Sequence, residues 1–179
     1  MIRAGDRITN ARTGQVMTFR KTGAETDGAL LQIDCESPPT AMREPEHVHP
    51  LQESRFEMLE GTCSFSIAGR ETQVHAGETV TIPANVPHCF WNAGETTARY
   101  VQEFRPAGRI DAFFETFFAL ARDGKLNDAG VPNLLLGAGI MLKHKDDIRV
   151  TRPPWPLQYL TYVVLAPIGR LLGLGAEAP

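Results

Sequence analysis

Two histidines two residues apart, His47 and His49, sit in the run Glu46-His47-Val48-His49-Pro50-Leu51-Gln52-Glu53, and a third, His88, follows 39 residues after His49. On an extended segment, side chains two apart project to one face, so this pair of imidazoles can grip one ion. A His-x-His pair by itself also arises on surfaces and among neutral core residues, and does not decide the matter. The stretch from Gly77 to His88 (GETVTIPANVPH) shifts the weight toward a site, because it reads as a turn, a strand and a tight turn that hands a third imidazole back toward the first two. Gly77 and Asn85 suit backbone positions with positive φ, the first for want of a Cβ and the second because its amide can bond locally. Pro83 and Pro87 stiffen the second turn, and a ligand must be held rigidly to bind well.

These residues resemble the two motifs of the cupin superfamily. The first is His47-x-His49 with an acid shortly after and Gly61 closing it; the second is Gly77-x5-Pro83-x-Asn85-x2-His88-x3-Asn92. The second fits at every fixed position except one, where Asn85 stands for the usual glycine, a residue type that also tolerates left-handed backbone. The resemblance spans roughly residues 30 to 105 and implies a six- to eight-stranded antiparallel jelly-roll barrel with a metal in its mouth. It implies His47, His49 and His88 as ligands, with Glu53 as a fourth. The family's acid is followed by six residues before the closing glycine, and counting back from Gly61 reaches Ser54, so Glu53 comes one place early. A one-residue offset turns a strand side chain to the other face, and Glu53 reaches the ion only through a bulge or shortened loop. Otherwise it is a surface carboxylate and the site is three imidazoles plus water, with Gln52 or Ser54 as a polar neighbour. Such donors suit one divalent transition metal, Zn, Ni, Fe, Mn or Cu, without choosing among them. By parity from Ser54, Phe56 and Met58 face the lumen and, with Gln52 and Ser54, are the candidates for a substrate pocket; Phe65, Phe90 and Trp91 lie on the same runs, with core packing the plainer role for each.

The elements that must position this site are strands. From Gln15 to Phe104, short β-rich runs are broken by Gly, Pro and Asn about every ten residues, which predicts strands over Val16–Arg20, Ala29–Cys35, Arg55–Glu60, Cys63–Ala68, Glu71–Val74, Thr79–Ile82, Cys89–Asn92 and Arg99–Phe104. After Pro106 the period changes. Ile110, Phe113, Phe114, Phe117, Phe118 and Ala121 share one helical face opposite Asp111, Glu115 and Arg122, and Gly124 is a natural stop. Leu134–Lys145 reads as a second helix weakened by Gly137 and Gly139, and an apolar stretch from Leu157 to Leu174 follows a proline-rich link. The organisation expected is a mainly β cupin barrel over 1–106 and a helical C-terminal extension over 107–179 that packs on the barrel or on the mate in a homodimer.

Composition narrows the functions. Eighteen Lys and Arg against 21 Asp and Glu, with no basic run interleaved with aromatics, argue against nucleic acid as a partner. Pro153 to Gly169 carries no formal charge, but it is shorter than the ~20 residues a span needs and holds four prolines, so no transmembrane span is expected. Cys35, Cys63 and Cys89 are odd in number and 28 and 26 apart, which fits reduced, buried thiols better than disulfides or a zinc pair. The charged N-terminus lacks a signal h-region, so the expected compartment is the cytoplasm. His75 and His144, the latter in Lys143-His144-Lys145-Asp146-Asp147, read as solvated surface residues. No Gly-x-Ser-x-Gly elbow or Gly-x4-Gly-Lys loop occurs. The expected function is a metal-binding cupin that takes a small-molecule ligand beside its ion, with oxygenase chemistry as the first expectation. A noncatalytic binding or storage module, and a metal-dependent isomerase or lyase with Glu53 as base, are the alternatives, since fold does not dictate chemistry.

Overall fold

The computed structural model describes residues 1–40 and 42–174; residues 175–179 of the expected extension lie outside them. Two antiparallel sheets face each other. The larger holds six strands in the order β1 (Arg7–Thr9), β2 (Val16–Lys21), β3 (Leu31–Ser37), β10 (Ala98–Arg105), β5 (Glu53–Glu60), β8 (Thr79–Ile82). The smaller runs β11 (Arg149–Val150), β4 (His47–Val48), β9 (His88–Trp91), β6 (Thr62–Ile67), β7 (Arg70–His75). All pairings are antiparallel, as in a jelly roll, and from β3 onward the chain passes between the sheets at every step except the β6–β7 hairpin.

Alternation in the sequence becomes alternation in burial. Along β3 the pattern is strictly buried and half-buried by turns, with Leu31, Ile33 and Cys35 inward. Phe56 and Met58 point inward from β5, Phe65 from β6, Ile82 from β8, and Tyr100 and Phe104 from β10, forming one core between the sheets. Edge-to-face and tilted ring packing ties Phe56 to Phe65, Phe90 and Tyr100 at centroid separations of 5.0, 5.0 and 5.6 Å. Cys35, Cys63 and Cys89 are free and buried, as their spacing suggests.

The eight expected strands all form, shifted by up to two residues at their ends. Three further strands are too short to show a period: β1, β4 and β11 have three, two and two residues. The last of these comes from the C-terminal extension. Its Val150 pairs with His47 and its Arg149 with Val48, so the chain beyond the barrel adds an edge strand beside the first histidine.

Three helices complete the fold: α1 (Ile110–Arg122), α2 (Leu134–Lys143) and α3 (Trp155–Leu171). The aromatic face of α1 turns toward the barrel, where Ile110, Phe113, Phe118 and Leu120 join the same core. Asp111 and Arg122 sit at the helix ends favoured by the dipole, and Gly124 closes it with φ +66°. Asn133 caps α2 by accepting the Leu136 N–H. Gly169 of α3 crosses α2 so closely that a Cβ there would lie 3.0 Å from the Leu135 carbonyl oxygen. Among the described residues no helix is long and apolar enough to cross a membrane.

Candidate metal centre

His47 on β4 pairs directly across from His88 at the start of β9, and His49 follows two residues after His47. The turn before His88 is built as its residue types suggest. Asn85 adopts φ +62°, and its backbone N–H donates to the His49 carbonyl at 2.8 Å, which ties the two histidine segments together. All three imidazoles are buried, with ring centroids 4.5 to 5.3 Å apart. One ring nitrogen from each lies within 4.8 Å of the others, so His47, His49 and His88 could hold a metal ion.

The hydrogen bonds decide which nitrogens face the common point. Nδ1 of His47 lies 3.0 Å from the Pro45 carbonyl, Nδ1 of His49 2.7 Å from that of Asp147, and Nδ1 of His88 2.8 Å from that of Val86. A carbonyl oxygen only accepts, so each Nδ1 carries the proton and each Nε2 keeps a free lone pair. Burial pushes the pKa of all three rings down, His49 well below its ordinary value and His88 to about 4, with neighbouring imidazoles adding to the depression at His49 and His88. The rings are therefore neutral at pH 7, the form a metal requires.

Glu53 does not join them. It opens β5 as an exposed residue, whereas Gln52 and Ser54 on either side of it are buried. No bulge realigns it: β5 pairs with β8 in unbroken register from Ser54↔Ile82 to Glu57↔Thr79, and its one irregularity against β10 lies at the far end, at Arg99/Tyr100. The expectation of Glu53 as fourth ligand is corrected by strand parity. Gln52 donates from Nε2 to the Asp147 carboxylate at 3.2 Å, while its Oε1 and the Ser54 hydroxyl, both buried, have no hydrogen-bond partner. Of the four pocket candidates, Phe56 lines the cavity beside the histidines; Met58 is packed in the core, and Gln52 and Ser54 are buried without lining the cavity. Phe90 and Trp91 line it as well.

His75 is exposed as expected, but His144 is corrected: it is fully buried, not a surface residue. The charged run around it reads as solvated, yet α2 ends at Lys143 and the turn that follows sends His144 and Asp147 inward. His144 donates from Nδ1 to the Asp147 carboxylate at 3.2 Å and packs edge-on against Phe113. The same carboxylate accepts the Arg109 N–H at 2.7 Å and the Gln52 amide. Burial works to raise the Asp147 pKa, but these donors outweigh it and hold the group below its ordinary value. Asp147 thus joins the helical extension to the barrel, and its backbone carbonyl fixes His49.

A second residue escaped the sequence reading. Glu44 lines the cavity, accepts the Phe90 N–H at 3.3 Å and stands 3.9 Å from His47 Nδ1. Partial burial in the cavity pushes its carboxyl pKa up, against the pull of His88 and the Phe90 N–H, although the side chain keeps 37% of its exposure. Nothing in the local pattern Arg43-Glu44-Pro45-Glu46 marks it out.

The cavity itself has a volume of about 390 Å³. The histidines and Phe56, Phe90 and Phe104 form one side, and α1 and α2 form the other. A small antiparallel barrel with imidazoles converging at its open end defines a class of fold in which a pocket and an ion site coincide. The family model of the cupin domain matches residues 34–102. The barrel region over those residues is a cupin domain. No curated protein matches the sequence. Among solved structures, a predicted oxalate decarboxylase from Thermotoga maritima is similar at 20% identity and TM-score 0.50, over 59% of this chain and 98% of that one. KdgF from Halomonas sp. gives 14% and 0.46 over 52% and 79%, and a cupin-superfamily sugar phosphate isomerase from Silicibacter pomeroyi gives 16% and 0.48 over 57% and 72%. The Thermotoga protein is covered almost end to end, so about two fifths of this chain has no counterpart in it.

Proposed function

We propose that the protein is a metal-dependent cupin that binds a small organic molecule beside a divalent transition metal held by His47, His49 and His88. The observation that carries this reading is a trio of buried imidazoles with one ring nitrogen of each within 4.8 Å of the others, each Nδ1–H bonded to a backbone carbonyl so that Nε2 keeps its lone pair. With no carboxylate in the cluster, three neutral ligands leave coordination positions for water, a substrate oxygen or dioxygen. The ion, when bound, supplies Lewis acidity or an activated water, and with a redox metal the oxygenase chemistry expected first. The chain's own residues keep the imidazoles neutral and oriented, exclude water with phenylalanines, and present one carboxylate, Glu44, to the cavity.

Glu44 also favours a second reading, a metal-dependent isomerase or lyase. Such an enzyme needs a base near the reacting carbon, and Glu44, whose carboxyl pKa is raised by partial burial and which lines the cavity, is placed to take and return a proton. Glu53, the base expected from the sequence, is exposed and does not line the cavity. A noncatalytic binding or storage module uses the same cavity without Glu44. The homodimer is also part of this proposal, supported by the exposed apolar residues Leu157, Leu160, Val164 and Ile168 on α3.

Cobalt(II) in place of the native metal tests the site. Adding acetate to the loaded protein should change its visible absorption, because an open position is filled, and His88→Ala should give no such spectrum. A spectrum unchanged by any oxygen ligand would mean that no open position exists.

A further inference from the structure

The most unusual feature of the site is the material that faces the histidines. Phe104 lies edge-on to His49 at a centroid separation of 5.0 Å, and Phe114 of α1 follows at 6.0 Å from Phe104. Behind it, Phe113 and Phe117 pack together at 4.9 Å, and Phe118 lies 6.4 Å from Phe114. All four phenylalanines of α1 line the cavity, and α2 adds Met141. The phenylalanine wall offers no hydrogen bond to a sugar or other polyhydroxylated molecule, whose hydroxyls there would be stripped of water without replacement, while the polar lining residues, among them Gln15, Glu44, Asn92 and Gln102, come from outside α1.

The opposite end has the reverse character. The three imidazole ligands donate no negative charge, and Glu53, the family's acid position displaced by one, points to solvent. Glu44 approaches His47 on its Nδ1 side at 3.9 Å and is not one of the ligand cluster. A dication bound there keeps its full charge and favours an anionic oxygen ligand. We propose that the ligand of this cavity is an amphiphile: an apolar chain or ring bearing one carboxylate-like oxygen head, with the head at the histidines and the body against the phenylalanines of α1. The placement of the head rests on the metal reading above; the apolar body does not. At roughly 30 Å³ per heavy atom, a cavity of about 390 Å³ has room for about a dozen such atoms.

The test is a homologous series of straight-chain carboxylates, acetate to tetradecanoate, titrated calorimetrically into the full chain with cobalt(II) bound and without metal. In the loaded protein, affinity should rise about fourfold per methylene, the value of one buried CH₂, and level off at about ten to twelve carbons. Metal-free protein should show the same slope at lower affinity. Phe114→Ser, which removes the apolar wall without adding charge, should weaken decanoate binding more than tenfold and leave acetate, too short to reach α1, within twofold. Met141→Trp, which fills the cavity without adding a charge, should move the plateau to a shorter chain, a result that a misfolded variant cannot imitate. A flat series in protein that binds cobalt overturns this inference and leaves the metal site standing. A slope that persists in protein unable to bind cobalt overturns the metal reading and supports the apolar cavity.

Discussion

Asp147 is the residue through which the extension and the barrel hold each other, and its replacement by alanine has consequences that can be worked out. The carboxylate accepts three donors that come from different parts of the chain: the Arg109 N–H before α1 at 2.7 Å, the Gln52 amide before β5 at 3.2 Å, and His144 Nδ1 after α2 at 3.2 Å. Alanine leaves all three without an acceptor. Each buried donor stranded in this way costs about 1–3 kcal/mol, and water entering the vacated space recovers part of it, so a net loss of about 4 kcal/mol is expected. For a chain of this size that corresponds to a fall in Tm of about 8–16 °C. The backbone carbonyl of Asp147 orients His49, and loosening the turn should lower metal affinity about 10- to 100-fold, as for other partners of a ligating histidine. Asp147→Asn keeps one accepting oxygen for Arg109 and Gln52 and should lose only about 1 kcal/mol. Circular-dichroism melts and a competition titration with a chromophoric chelator read the two effects. Melting within 2 °C of the parent, with metal affinity unchanged in Asp147→Ala, would refute the claim that this carboxylate joins the two parts.

Further outcomes follow from the same geometry. His88 drops from 6.5 to about 4 on burial, so the unfolded chain binds a proton that the folded chain refuses. Stability of the metal-free protein is therefore full above pH 6.5 and falls as pH drops toward 4, by about 3 kcal/mol from this residue alone, with His49 acting in the same direction; urea titrations across that range measure it. Gly108→Ala should be severely destabilising, since at φ +57° its Cβ would fall 2.0 Å from Gln52 Nε2 and 2.6 Å from Asp147 Oδ1, whereas Gly124→Ala, with φ +66° but open space, should cost only about 1 kcal/mol. Glu53→Gln should leave metal affinity unchanged in a competition titration, because the side chain is exposed and turned away from the histidines.

Much of this was legible because the informative signals were local. Thr79–Ile82 came out with its true bounds, since Gly77 and Pro83 punctuate it on both sides. Asn85 was readable as a left-handed position, and the four phenylalanines and Ile110 of α1 fall on one face at a helical period. The errors came where distant segments decide. The two-residue strands β4 and β11 exist because residues about a hundred apart pair, and no window shows that. His144 sits among charges in the sequence, and only the turn after α2 takes it inside. Glu44 owes its place to the fold of the loop before β4, not to any spacing. The doubt over Glu53 was itself a local signal: one residue of offset from Gly61 put it on the outer face.

X-ray absorption on the purified full chain, combined with elemental analysis, tests the central claim most directly. The account predicts about one transition-metal ion per chain, coordinated by three imidazole nitrogens and light oxygen donors, with metal lost in both His49→Ala and His88→Ala. Metal retained in full by either variant, or a first coordination sphere without three imidazoles, would contradict it.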